Sequence, residues 1–156
     1  MAITTAMCTS FKEDLLNGVH DLDADQLRVA LIKESPTGTY DKGTQEYANL
    51  GSDEVATGGN YTRDSADNNL TIAGVTIATD ATTGRAWVDL PNLTFNDVTV
   101  SADGCLIYNT SQSNKAICVI DFGGTVSATA GDLTIEFPDP TADGSAAIIR
   151  LDTPAE

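Results

Sequence analysis

Basic side chains are scarce in this chain. Over 156 residues, 8 Lys and Arg stand against 23 Asp and Glu, leaving a formal net charge of −15 at pH 7. Phosphate backbones and anionic lipid surfaces are gripped by clustered Lys and Arg, so this balance argues against nucleic acid and against a membrane as direct partners. The acids are dispersed, apart from Asp21, Asp23 and Asp25, and read as a solvated, soluble surface. No apolar run approaches the roughly 18 residues of a membrane span. The opening Met1–Ala6 has no basic region followed by an apolar stretch, so no secretory signal is expected and synthesis in a host cytoplasm is. The 3 cysteines are odd in number and widely spaced, which suggests neither a disulfide framework nor a zinc site.

What remains is a folding composition, 41% hydrophobic and 20% charged. A chain of this length buries about 68–70% of its unfolded surface and needs no metal or disulfide to hold a core. With no internal repeat and no linker, the expected organisation is an N-terminal arm over residues 1–9 and one domain over residues 10–156.

One helix is signalled, near residues 10–17. Ser10 and Glu13 have capping-box spacing, Asn17-Gly18 supplies a stop, and Phe11, Leu15 and Leu16 can share a face. After Asp25 the pattern shortens to β runs. Leu27, Val29 and Leu31 alternate; residues 34–60 are rich in turns, with room for a short strand near Tyr47 or Val55. Leu70–Thr79 reads as a strand whose apolar parity switches at Gly74, a β-bulge signature. Arg85–Leu90, Leu93–Phe95 and Val98–Ser101 follow.

The best hairpin joins Cys105–Asn109 to Lys115–Phe122. Pairing Thr110 with Lys115 makes both faces apolar, which predicts a central pair covered on both sides. That register sets Cys105 and Cys118 on a diagonal of roughly 7–8 Å, too far for a disulfide, so free buried thiols are expected. Gly123-Gly124 and Gly131-Asp132 bracket a linking segment. Leu133, Ile135 and Phe137 form a further strand stopped by Pro138, and Ala147–Leu151 is the last. The fold class is therefore all-β: an antiparallel β-sandwich or jelly-roll-like domain with one short N-terminal helix. The pattern alone does not choose among sandwich, jelly roll and barrel.

Candidate chemistry is thin. His20 stands alone, without a second His for zinc or an evident nucleophile, and reads as a polar loop residue. Asp21, Asp23 and Asp25 open like a calcium loop, but Gln26 and Ile32 occupy the places where an EF-hand needs Gly and Glu; turn chemistry is the plainer reading. Cys8, Cys105 and Cys118 lack a neighbouring base in sequence and read as packing. The triplets Asn60-Tyr-Thr62, Asn69-Leu-Thr71 and Asn92-Leu-Thr94 read as turns rather than glycan sites. Trp87 is either a core residue or an exposed contact aromatic of an interface or sugar site. No catalytic residue, cofactor or metal is expected. The arm is uncharged and moderately apolar, and it has two possible docks: its own sandwich or a neighbour's sheet edge. On the second reading Ala2, Ile3, Thr4, Thr5, Met7 and Phe11 carry partner contacts, with the turn-rich residues 34–60 contributing.

The run Ala2–His20, the pair Gly104–Thr110 and Lys115–Gly124, and the later Gly131–Pro138 and Ala147–Arg150 resemble a family of small virion structural proteins from tailed bacteriophages. The likeness covers both ends and the second half of the chain. It implies a β-rich, non-enzymatic protein of the particle, of capsid decoration or cement type; on that reading the major capsid protein is the expected partner, and a trimer or dimer would fit the cyclic axes of a lattice. A tail, connector or fibre component is the alternative, and a carbohydrate-binding module a further one. The likeness supplies no catalytic residue.

Overall fold

The computed structural model describes residues 2–64, 70–140 and 143–152. In chain order these form β1 (Ala6–Met7), α1 (Thr9–Leu16), β2 (Leu27–Lys33), β3 (Thr71–Ile72), β4 (Thr76–Asp80), β5 (Arg85–Asp89), β6 (Leu93–Asn109), β7 (Lys115–Ile135) and β8 (Ile149–Leu151). A larger antiparallel sheet has the order β1-β7-β6-β2-β3, and a smaller one the order β4-β5-β8. Together they make an all-β antiparallel sandwich with one short N-terminal helix.

The two continuous apolar runs Cys105–Tyr108 and Ala116–Ile120 set the centre. Cys105 faces Ile120, Leu106 faces Val119 and Ile107 faces Cys118. The register then slips, so that Tyr108 faces Ala116 and Asn109 faces Lys115, with Ile117 as the extra residue. The expected register thus holds up to the slip beside the turn. The turn itself is built by Asn109, whose side chain accepts the Ser111 and Gln112 N–H groups, and by left-handed Ser113 and Asn114. Both faces of this pair are buried, and Cys105 and Cys118 are free, buried thiols as expected.

Several expectations need correction. Leu93–Phe95, Val98–Ser101 and Cys105–Asn109 are not separate strands but one long strand, and Gly123–Asp132 is not a linker but the middle of its partner. Repeated register shifts between β6 and β7 absorb the glycines and turn residues that looked like breaks. The parity switch at Gly74 is not a bulge either. Gly74 has φ +82°, and there the chain leaves β3 in the larger sheet to enter β4 in the smaller one. Finally, α1 starts one residue early. Cys8 is its N-cap and makes no side-chain cap, so Ser10 lies inside the helix with its hydroxyl buried and unpartnered. The start is fixed from outside, by the Cys8 N–H donating to the Ile117 carbonyl and the Thr9 N–H to that of Lys42. The stop at Asn17-Gly18 is as expected. On the helix, Phe11 is fully buried and Leu15 partly so, but Leu16 is 90% exposed and does not share their face.

Residues 34–60 contain single helical turns at Tyr47–Asn49 and Gly51–Asp53. Instead of a strand near Tyr47 or Val55, lone bridges join Glu46 to Lys115 and Glu54 to Ile32. Two buried carboxylates anchor this segment. Asp53 accepts the N–H groups of Thr37 (2.9 Å) and Gly38 (2.7 Å) and the Tyr40 hydroxyl (2.9 Å), and pairs with Lys33 at 2.9 Å. Glu54 accepts the hydroxyls of Tyr47 (2.6 Å) and Tyr61 (2.8 Å), with Arg63 at 3.7 Å.

Candidate functional site

The arm docks on its own sheet. Ala6 pairs with Val119 and Met7 with Cys118, the Asp121 N–H donates to the Thr5 hydroxyl, and Ile3 bridges to Tyr40. Ile3 and Phe11 are therefore core residues, unavailable to a partner while the protein is folded. Thr4 and Thr5 are exposed, and Ala2 and Met7 are half-buried.

His20 lies in the loop after α1, as expected, but it is buried there. Its ring is buried against Phe11, with centroids 5.0 Å apart, and its Nδ1 lies 3.0 Å from the Asn109 amide. Its Nε2 has no hydrogen-bond partner and sits 3.9 Å from Asp14, which also pairs with Lys115 at 2.8 Å. Burial lowers the His20 pKa more than Asp14 and Asp25 raise it, and Lys115 adds to the lowering. The folded protein thus resists a proton that the unfolded chain takes up near the ordinary value of 6.5. Stability is full above that pH and is expected to fall as pH drops through it. Denaturant titrations of wild type and His20→Gln at about pH 7 and pH 5 check this: the wild type should lose more stability, and equal losses would contradict the assignment.

The acidic turn is structural. Asp25 accepts the Asp21 N–H at 3.0 Å and the Asn109 amide at 2.7 Å, so it ties the helix-to-β2 turn to the tip of the central hairpin. Among the described residues no group of three or more His, Cys, Asp or Glu is placed to hold a metal ion. Burial pushes the Cys8 thiol up to about 11, helped by Asp41, and the Cys105 thiol up to about 12; Cys118 is raised as well. All three stay protonated at neutral pH, which opposes thiolate chemistry. Trp87 is core, 7% exposed, and closed over by Gly144, where a Cβ would fall inside the indole. The aromatic that a sugar site could have used is therefore inside the fold. Asn60 donates to the Asp97 carbonyl and Asn92 accepts the Phe137 N–H, both in turns, while Asn69 lies outside the described residues.

A long open strand edge with a groove beside it lies elsewhere. β7 has two sides along which it can pair. β6 takes one side, interrupted by bulges, whereas β1 covers the other only at Cys118 and Val119. Among the described residues no strand pairs with the outer edge of β7 from Phe122 to Ile135. The other open edges among the described residues are shorter: β6 lacks a strand on its β2 side from Leu93 to Ser101, β3 has 2 residues, β8 has 3 and β4 has 5. Beside the β7 edge runs an open groove of about 440 Å³, walled by Phe122, Val126, Leu133, Ile135, Phe137 and Ile148. Strand alternation aims Val126, Ala128 and Leu133 inward, while Ser127, Thr129 and Thr134 face water and Ser101–Ser127 and Thr94–Thr134 hydroxyl pairs clip the outer face. At one end β7 inserts four residues, Phe122–Thr125, opposite the single Asp103, and this bulge is held by Thr125 donating to Asp103 at 2.6 Å.

Sequence reasoning located Leu133, Ile135 and Phe137 as a strand but assigned them no role. It read residues 123–132 as a connection and so did not see the edge. The available signal was the alternation of Val126 and Ala128 with Thr125, Ser127 and Thr129, masked by the flanking glycines.

No family model matches this chain, and no curated protein or solved structure does.

Proposed function

We propose that this chain is a non-enzymatic structural protein of a tailed-phage virion, of the decoration or cement type, which binds the major capsid protein on the outside of the head. The observation that carries the reading is the open edge of β7 with the apolar groove beside it. An edge of that length offers unpaired N–H and C=O groups, and natural proteins cover or blunt such edges. Between Ala116 and Ile135 there is neither Lys nor Pro to blunt it, and the bulges at Phe122–Thr125 and Thr129–Ala130 leave Val126–Ala128 and Gly131–Ile135 as its regular stretches. The resemblance of the chain's two ends and second half to small virion proteins supports the same reading. So do the protonated, buried thiols and the buried, solitary His20.

The mechanism is linkage. A protein that binds assembled shell and not free subunits shifts the equilibrium toward the shell by RT ln(1 + [L]/Kd), about 2.7 kcal/mol per site at one hundred times Kd. Self-association as a trimer or dimer would match cyclic axes of a lattice and add avidity. Mixing the purified protein with heads that lack it provides the test. Saturable co-sedimentation is expected; none at concentrations above the copy density of the virion sinks the reading, and a location confined to the tail in virion images would replace it with a tail role.

A further inference from the structure

We infer that the open edge of β7 accepts an extended segment of a partner chain as an added strand, with alternating apolar side chains in the groove and Lys or Arg at its flanks. The inference rests on the binding role proposed above and specifies the chemistry of the partner.

Two features fix the shape of the occupant. Strand addition satisfies edge N–H and C=O groups by main-chain hydrogen bonds, while a groove alongside reads every second side chain. β7 offers both together: an outer edge without a partner strand among the described residues, and inward Val126, Leu133 and Ile135 on the wall of the groove. A folded globular surface could fill the groove but would leave the edge groups unpaired, at a cost comparable to a lost hydrogen bond for each one buried. An extended segment satisfies both. Six added residues would run roughly 20 Å along the edge.

Charge selects the flanks and disfavours a second copy of this chain. Among residues 116–149 there is no Lys or Arg, while Asp121, Asp132, Glu136 and Asp139 all occur; Asp143 is already paired with Arg85 at 3.7 Å. β6 adds Asp97 and Asp103 and again no base. The hairpin's one cation is Lys115, at the turn and paired with Asp14. Two β7 edges brought together would oppose carboxylate to carboxylate with no cation between them. A segment with basic flanks meets a complementary field instead.

The test uses the full-length protein and synthetic peptides, with backbone amide NMR as the readout. One peptide carries four Val alternating with three Thr between Lys-Lys flanks. A second has Glu-Glu flanks, and a third is the lysine peptide with alternate backbone nitrogens methylated. The lysine peptide should bind with shifts concentrated at Phe122–Ile135, about tenfold tighter than the glutamate peptide at low salt, with the gap narrowing as salt rises. The methylated peptide should bind at least about tenfold more weakly than its parent when the face lacking N–H is the one presented. Failure of the lysine peptide to bind, binding centred elsewhere, or equal affinity for the lysine and glutamate peptides would each overturn the inference. Because no heads are used, this outcome is separable from the co-sedimentation result: saturable head binding with no peptide binding would retain the cement reading and remove the added strand.

Discussion

Replacing Asp53 with alanine is expected to destabilise the protein by about 2–4 kcal/mol, because it removes the shared acceptor of several part-buried donors, while the partly exposed Lys33 can turn to water. Every group around this carboxylate is a donor: the N–H groups of Thr37 and Gly38, the hydroxyls of Thr37 and Tyr40, and the Lys33 ammonium. Alanine would leave them facing one another. Asp53→Asn should recover little, because one face of the amide would turn a donor toward donors. Gly38 is part of the same arrangement, since a Cβ there would lie 2.7 Å from the Tyr40 hydroxyl oxygen and 3.2 Å from Asp53. Burial alone would raise the carboxyl pKa, yet the bonds from Lys33, Gly38, Tyr40 and Thr37 outweigh it and hold it well below the ordinary 3.8. A depressed carboxyl contributes stability that is present above that ordinary value and is lost as pH falls toward the folded-state pKa. Asp53→Ala should therefore lose most at neutral pH and converge toward wild type in strong acid. Urea titrations at both pH values measure this, and a difference independent of pH would contradict the electrostatic account.

Phe11→Ala is expected to cost about 3–5 kcal/mol, and Leu16→Ala no more than about 0.5 kcal/mol, although both residues sit on the same two-turn helix. A helix of 8 residues does not persist alone and depends on docking. Phe11 is the residue that docks it: the ring is fully buried and packs on His20, whereas Leu16 is 90% exposed. The order of the two variants in thermal or urea denaturation checks this. Equal effects would mean that the helix does not lie as described. The contrast bears on function as well, because Phe11 and Ile3 are committed to this chain's own core and the arm cannot be a free strap that includes them.

The parts of the fold legible in the sequence were those in which burial is local and continuous. Residues 105–108 and 116–120 are continuous apolar runs on either side of a polar turn, so the central pair, its two apolar faces and its separated thiols could be read directly. The long strands could not, because Gly123, Gly124 and Gly131 carry turn chemistry: Gly123 and Gly124 sit in a bulge that the strand passes through, and Gly131 is held by pairing with Val98 of β6. Gly74 produced the right anomaly with the wrong cause: a change of face on one strand and a change of sheet leave the same mark on apolar parity. Asp53 was invisible for a different reason. Its partners come from positions 33, 37, 38 and 40, and nothing local distinguishes it from the other acids of an acidic chain. His20 likewise became a core residue through Asn109, which lies 89 positions away in sequence. The groove beside β7 was half legible, since its apolar residues were assigned to strands while the missing neighbour on that edge is a property of topology alone.

Hydrogen–deuterium exchange of the protein, free and bound to heads that lack it, tests the proposed role of the β7 edge most directly. The account predicts that binding slows exchange chiefly in Phe122–Ile135, where outer-edge amides have no strand to protect them in the free protein. Slowing confined to the turns of residues 34–60 or to β4, β5 and β8, with Phe122–Ile135 unchanged, would contradict it.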